Sequence, residues 1–93
     1  MSQTSTTHML LYEYVGDIAR RRGPYRDDHL QRIRAEQSAG RVIMAGALGD
    51  PPRGGAIVFR DTDPEAIEAF AREDPYMKAG LITSWRVEPW TLV

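Results

Sequence analysis

Four apolar runs rich in strand formers, set around two helix-like segments, constrain this chain more than any other feature. The runs are Met9–Val15 (MLLYEYV), Arg41–Leu48 (RVIMAGAL), Gly55–Arg60 (GAIVFR) and Leu81–Trp90 (LITSWRVEPW). After a loop over Gly16–Pro24, a first helix is expected to start between Tyr25 and Asp28, where Asp27 and Asp28 suit its positive end. It would place Leu30, Ile33 and Gln37 on one face, leave Arg32, Arg34 and Glu36 largely solvated, and stop at Gly40. Thr62-Asp63-Pro64-Glu65 opens a second helix. Either Thr62 and Glu65 form a capping box, or Asp63 caps with Pro64 in the first helical position. Ile67, Phe70 and Ala71 supply its apolar stripe; Asp74-Pro75 interrupts it and begins a further turn ending at Gly80.

The order strand, helix, strand, strand, helix, strand predicts an α+β domain of the ferredoxin-like βαββαβ kind, an antiparallel sheet backed on one face by two helices. Thr83, Trp85 and Val87 are expected on one face of the last strand. Leu11 and Val15 alternate with Leu10, Tyr12 and Tyr14, so both faces of the first strand carry apolar groups. Nothing in the chain covers the second face, which predicts a homodimer. Residues 1–8 read as a disordered polar leader and 9–93 as a single domain.

Composition removes several classes of function. Twelve Lys and Arg balance 13 Asp and Glu, which argues against nucleic-acid binding. The basic run Arg20–Arg22 is flanked by Asp17, Asp27 and Asp28 and reads as a solvated loop. The RNA-recognition domain shares this element order, but its third strand stacks bases on aromatic residues. Here Gly55, Ile57 and Arg60 stand where those aromatics belong. No apolar run reaches about 18 residues and no signal peptide is visible, so no membrane partner and a cytoplasmic location are expected. Without cysteine there are no disulfides, thiolate nucleophiles or cysteine-based zinc sites. With one histidine in the folded part, no metal site is expected either. Gly54-Gly55 sits between strands, not at a helix entry where a phosphate loop would lie.

His29 carries the clearest chemical potential. It is the only side chain of the expected domain whose unperturbed titration falls between pH 5 and 8. A carboxylate on its second nitrogen would fix the tautomer and stabilise the imidazolium, and Asp74 is the best candidate. Each residue also has an ordinary explanation: His29 as a partly exposed helix residue, Asp74 as a helix cap before Pro75. Arg26, one turn before His29, either binds a substrate carboxylate or phenolate or is simply solvated. Tyr76 either lines a pocket or packs on the core. Gly46 either admits a ligand close to the backbone or relieves crowding in its strand.

From Met9 to Val93 the sequence resembles the YCII-related domain (YciI-like) family, whose fold is the dimeric α+β barrel. The resemblance rests on the opening strand, on Arg26 and His29 in R-x-x-H-L, and on Gly40-Arg41 leading to Ala45-Gly46. It continues through Asp74-Pro75-Tyr76, Ala79-Gly80-Leu81, Val87 and Pro89. It implies that His29 and Asp74 form an active-site pair in a small pocket of a homodimer, with no bound cofactor. Lyase or isomerase chemistry on small ring compounds is the activity it implies. Where the family commonly follows the glycine of the second strand with proline, this chain has Gly46-Ala47-Leu48, and Gly49–Gly54 is a short connection. Both departures lie near the expected pocket rim, so the substrate class does not carry over. The resulting expectation is an enzyme using His29 as general acid/base, oriented by Asp74, on a small cyclic or aromatic molecule. The alternatives are a non-catalytic ligand-binding or accessory protein of the same fold, and a purely structural dimerisation module.

Overall fold

The computed structural model describes residues 5–93. Its elements run β1 (Thr7–Tyr14), α1 (Ile18–Arg21), α2 (Gly23–Ser38), β2 (Val42–Leu48), β3 (Gly54–Arg60), α3 (Pro64–Arg72), α4 (Pro75–Lys78) and β4 (Ile82–Pro89). All strand pairs are antiparallel, in the spatial order β2-β3-β1-β4. This is the ferredoxin-like α+β architecture that the order of elements predicts.

Alternation along β1 builds the core. Leu10 and Tyr12 point to the helix side, in register with Ile57 and Gly55 of β3 and with Val87 and Trp85 of β4. Ile67 and Ala71 of α3 pack into that layer with no solvent exposure, and Phe59 meets Phe70 edge-on at 5.5 Å between ring centroids. On the far face Val58 lies between Met9 and Met44 in the pairing register and is buried beside them. Met44 itself remains 58% exposed and Leu48 40%.

Several boundaries differ from the sequence expectation, for local reasons. Residues 1–4 of the expected leader lie outside the described residues. Thr7 and His8 join β1, because β3 offers Arg60 and Phe59 as partners and β4 extends to pair His8 with Pro89. The expected loop at Gly16–Pro24 contains α1 and the start of α2. Pro24 fits the first helical turn, whose N–H groups need no intrahelical partner, so the helix begins at Gly23 and Asp27 and Asp28 fall beyond its first turn. Asp63 occupies the N-cap of α3 with Pro64 next, yet neither it nor Thr62 makes a side-chain cap bond; the Thr62 hydroxyl donates to the Arg60 carbonyl instead. Arg32, expected in solvent, lies half-buried with its guanidinium 4.3 Å from the Phe70 ring centroid, donating to the Phe70 carbonyl at 2.9 Å. A bulge between Glu13 and Tyr14 breaks the alternation of β4, leaving Thr83 exposed while Ile82 is buried. Gly40 and Gly80 stop their helices with φ of 81° and 73°, a conformation that suits glycine.

Candidate active site

Asp74 is the centre around which the site is built. Pro75 ends α3's course and fixes the first position of α4, leaving Asp74 as N-cap with φ −63° and ψ 129°. Its Oδ1 accepts from the Tyr76 backbone N–H at 2.9 Å, so the capping role is fulfilled. The same carboxylate faces α2, where His29 Nδ1 lies 2.9 Å from both Oδ1 and Oδ2. Asp74 is 1% exposed and His29 6%. The two roles weighed for Asp74, cap and histidine partner, are therefore filled together, one oxygen bonding a backbone N–H while both face the imidazole.

Two tyrosines complete the pair's surroundings. The Tyr12 hydroxyl, from the inner face of β1, donates to Asp74 Oδ2 at 3.0 Å. The Tyr76 ring stacks on His29 with centroids 3.8 Å apart and planes 6° from parallel. Tyr14 then meets Tyr76 edge-on at 5.9 Å. Gly55 makes room for Tyr14, since a Cβ there would lie 2.6 Å from the Tyr14 hydroxyl. With Asp74 filling one ring edge and Tyr76 covering one face, the imidazole plane is fixed.

The Asp74 carboxylate takes the proton side of Nδ1, which leaves Nε2 as the acceptor in the neutral ring. Among the described residues Nε2 has no protein partner, and it is not a sealed-off polar atom. His29 lines a cavity of about 290 Å³ between α2 and the sheet. The phenols cannot serve as bases there. Burial and then the Asp74 charge push the Tyr12 phenol far above its usual range; burial raises Tyr14, aided by Tyr76 and Asp74. Tyr76 is also raised by burial, with the Arg22 and Arg26 charges pulling the other way. All three stay protonated near neutrality, and Tyr12 donates to Asp74.

The cavity wall on the helix side is the stripe of α2 that carries Arg26, His29, Ile33 and Gln37. The opposite wall is made of the small residues Ala45, Gly46 and Ala47 of β2. Arg26, Gly46 and Tyr76 all border this cavity, as His29 does; Asp74 stands behind His29. A Cβ on Gly46 would meet nothing within 4 Å, so crowding in the strand does not account for that glycine. Tyr76 both packs in the core and lines the cavity.

Tyr12, Tyr14 and Arg22 also line this cavity; the two tyrosines were not singled out from sequence, and Arg22, read there as part of a solvated loop, is half-buried. The alternation of MLLYEY places both tyrosines on the helix side with Leu10, which was a usable signal. Arg22 precedes Arg26 by four residues, so only a helix starting at Gly23 puts it on the same face.

A buried histidine–carboxylate pair, opening on a small cavity of a ferredoxin-like α+β domain, defines the class. The chain matches the YCII-related domain over residues 6–91 and belongs to that family. No curated protein matches its sequence. Its fold is similar to that of the 5-chloro-2-hydroxyhydroquinone dehydrochlorinase from Burkholderia phenoliruptrix AC1100, solved in complex with 2,5-dihydroxybenzoquinone. The TM-score is 0.78 and the identity 17%, over 94% of this chain and 95% of that one. It is also similar to a candidate antibiotic biosynthesis monooxygenase from Bacteroides thetaiotaomicron VPI-5482, with TM-score 0.60 and 12% identity over 97% and 90% of the two chains.

Proposed function

We propose that this protein catalyses proton transfer or elimination on a small cyclic, hydroxylated substrate held in the cavity beside His29. The observation that carries the reading is the His29 Nδ1–Asp74 contact at the wall of the cavity, with Nε2 left without a protein partner. Nε2 takes a proton from a ring carbon or hydroxyl; Asp74 stabilises the resulting imidazolium, which returns the proton to the product or leaving group. Asp74 acts through the histidine as a positioning residue. Arg26 and Gly46 border the bound substrate, and Tyr76 holds the imidazole plane. The dehydrochlorinase named above supports this choice of chemistry by its fold and by the ring compound bound to it.

The reading includes a homodimer. Met44 and Leu48, with Met9 and Leu11 half-buried beside them, leave an apolar outer sheet face that a second copy would cover. Sedimentation at micromolar concentration tests this and should return the mass of two chains.

The activity is tested by following chloride release from 5-chloro-2-hydroxyhydroquinone and deuterium exchange into the ring of 2-hydroxyhydroquinone, with wild type and His29→Gln. Wild type should accelerate at least one process, and His29→Gln should lower that rate on the order of 10²–10⁴-fold. Equal rates in the two proteins would remove His29 from the chemistry. Tight binding of the ring compounds without turnover would favour a ligand-binding protein of the same fold.

A further inference from the structure

Three guanidinium groups, Arg22, Arg26 and Arg34, border the cavity, and its lining contains no carboxylate. Among the described residues none of the three side chains has an ion-pair or hydrogen-bond partner, whereas Arg20, Arg21, Arg41, Arg72 and Arg86 all pair with acids. Arg22 is half-buried, unlike a solvated loop arginine. Asp74, behind His29, is already engaged by His29, Tyr12 and the Tyr76 backbone, and neither Asp27 nor Asp28 pairs with any of the three.

The three are not equivalent. Arg34 lies eight residues beyond Arg26, about 12 Å along the helix axis, at the other end of the cavity wall. Arg22 and Arg26 occupy the His29 end, since His29 follows Arg26 by three residues on the same face. Both charges also reach the Tyr76 phenol, whose ring stacks on His29. Between the two ends the walls are apolar, with Leu30 and Ile33 facing Ala45 and Ala47.

Resting on the acid/base reading above, we infer that Arg22 and Arg26 form an anion subsite, and that the substrate is a planar ring carrying a delocalised oxyanion, an ionised hydroxyarene or hydroxyquinone. The ring lies between the apolar walls. Its charged oxygens take the planar guanidinium forks, which match paired oxygens better than a point charge does. The neutral phenols of Tyr14 and Tyr76 line the same end. This arrangement places a ring atom next to the oxyanion within reach of His29 Nε2.

The test is calorimetric binding of three probes: 2,5-dihydroxybenzoquinone, which is ionised near neutral pH, its uncharged dimethyl ether, and benzoate. Wild type should bind the dihydroxyquinone at least tenfold more tightly than either other probe. Arg22→Gln/Arg26→Gln should lose that preference, its affinity for the quinone falling to that for the ether, and Arg22→Lys/Arg26→Lys should restore part of it. His29→Gln should keep the preference, so failure of the acid/base reading leaves a result distinct from failure of the subsite. The inference is overturned by equal affinity for the quinone and its ether, by tighter binding of benzoate, by a preference that survives in the double glutamine variant, or by no binding of any probe at 1 mM, about the weakest affinity worth calling a site.

Discussion

Helices α2 and α3 lie on the same face of one sheet and are held there by opposite means. α3 inserts Ile67 and Ala71, both fully buried, over a sheet that answers with Phe59 and Leu10. α2 buries only His29 and Ile33, and the sheet beneath it presents Ala45, Ala47 and Gly55. Large residues meeting large ones close the α3 side. Small residues under a polar helix leave the α2 side open, and a hydrogen-bonded pair takes over part of what apolar packing does elsewhere. The half that packs least well is the half that holds the proposed site, which is where departures from ideal packing are expected in a functional domain.

The sharpest way to break this contrast is to truncate each side in turn. Ile67→Ala should lower unfolding free energy by about 2–5 kcal/mol, because a fully buried side chain leaves a cavity that neighbours fill only partly; urea denaturation measures it. The reverse change on the other side, Ala47→Leu, adds bulk to space that is already empty. It should alter stability by no more than about 0.5 kcal/mol, the range of surface substitutions, yet abolish binding of 2,5-dihydroxybenzoquinone. A loss comparable to that of Ile67→Ala would mean that the α2 side is packed as tightly as the α3 side.

A weaker effect comes from alkaline pH. Unfolded tyrosines ionise near pH 10, about their unperturbed value, while burial and the Asp74 charge raise the folded Tyr12 phenol well above that. A group whose folded pKa is raised gives stability that is complete below its unfolded pKa and disappears as pH climbs from there towards the folded value. Thermal midpoints should therefore fall above about pH 10. In Tyr12→Phe that fall should be shallower, even though the variant starts lower at pH 7 for want of the bond to Asp74, by roughly 0.5–1.5 kcal/mol. An unchanged alkaline slope would remove Tyr12 from the account.

Much of this was legible in the sequence because it rests on local rules. Period-two alternation and the Gly and Pro punctuation gave the order of elements, and Asp-Pro before Tyr76 announced a cap. What was not legible depends on where helices begin and how they lie. Pro24 tolerates either a loop or a helix's first turn, and that choice decides whether Arg22 joins Arg26 at the cavity or stays in solvent. Arg32 reads as a surface residue until Phe70, on another helix, offers both a ring and a carbonyl. Tyr12 has the pattern of a core residue, and its hydroxyl finds Asp74 only through the packing of β1 against α4. The β-bulge at Tyr14 has no marker in the strand itself.

The central claim is that Asp74 holds His29 in one tautomer, with the reactive nitrogen towards the cavity. Long-range ¹⁵N–¹H NMR of the neutral His29 ring reads that directly. The account predicts a proton fixed on Nδ1 and an unprotonated Nε2 in wild type, with the two tautomers mixing in Asp74→Ala. A proton on Nε2 in the wild-type ring, or the same tautomer mixture in both proteins, would contradict it.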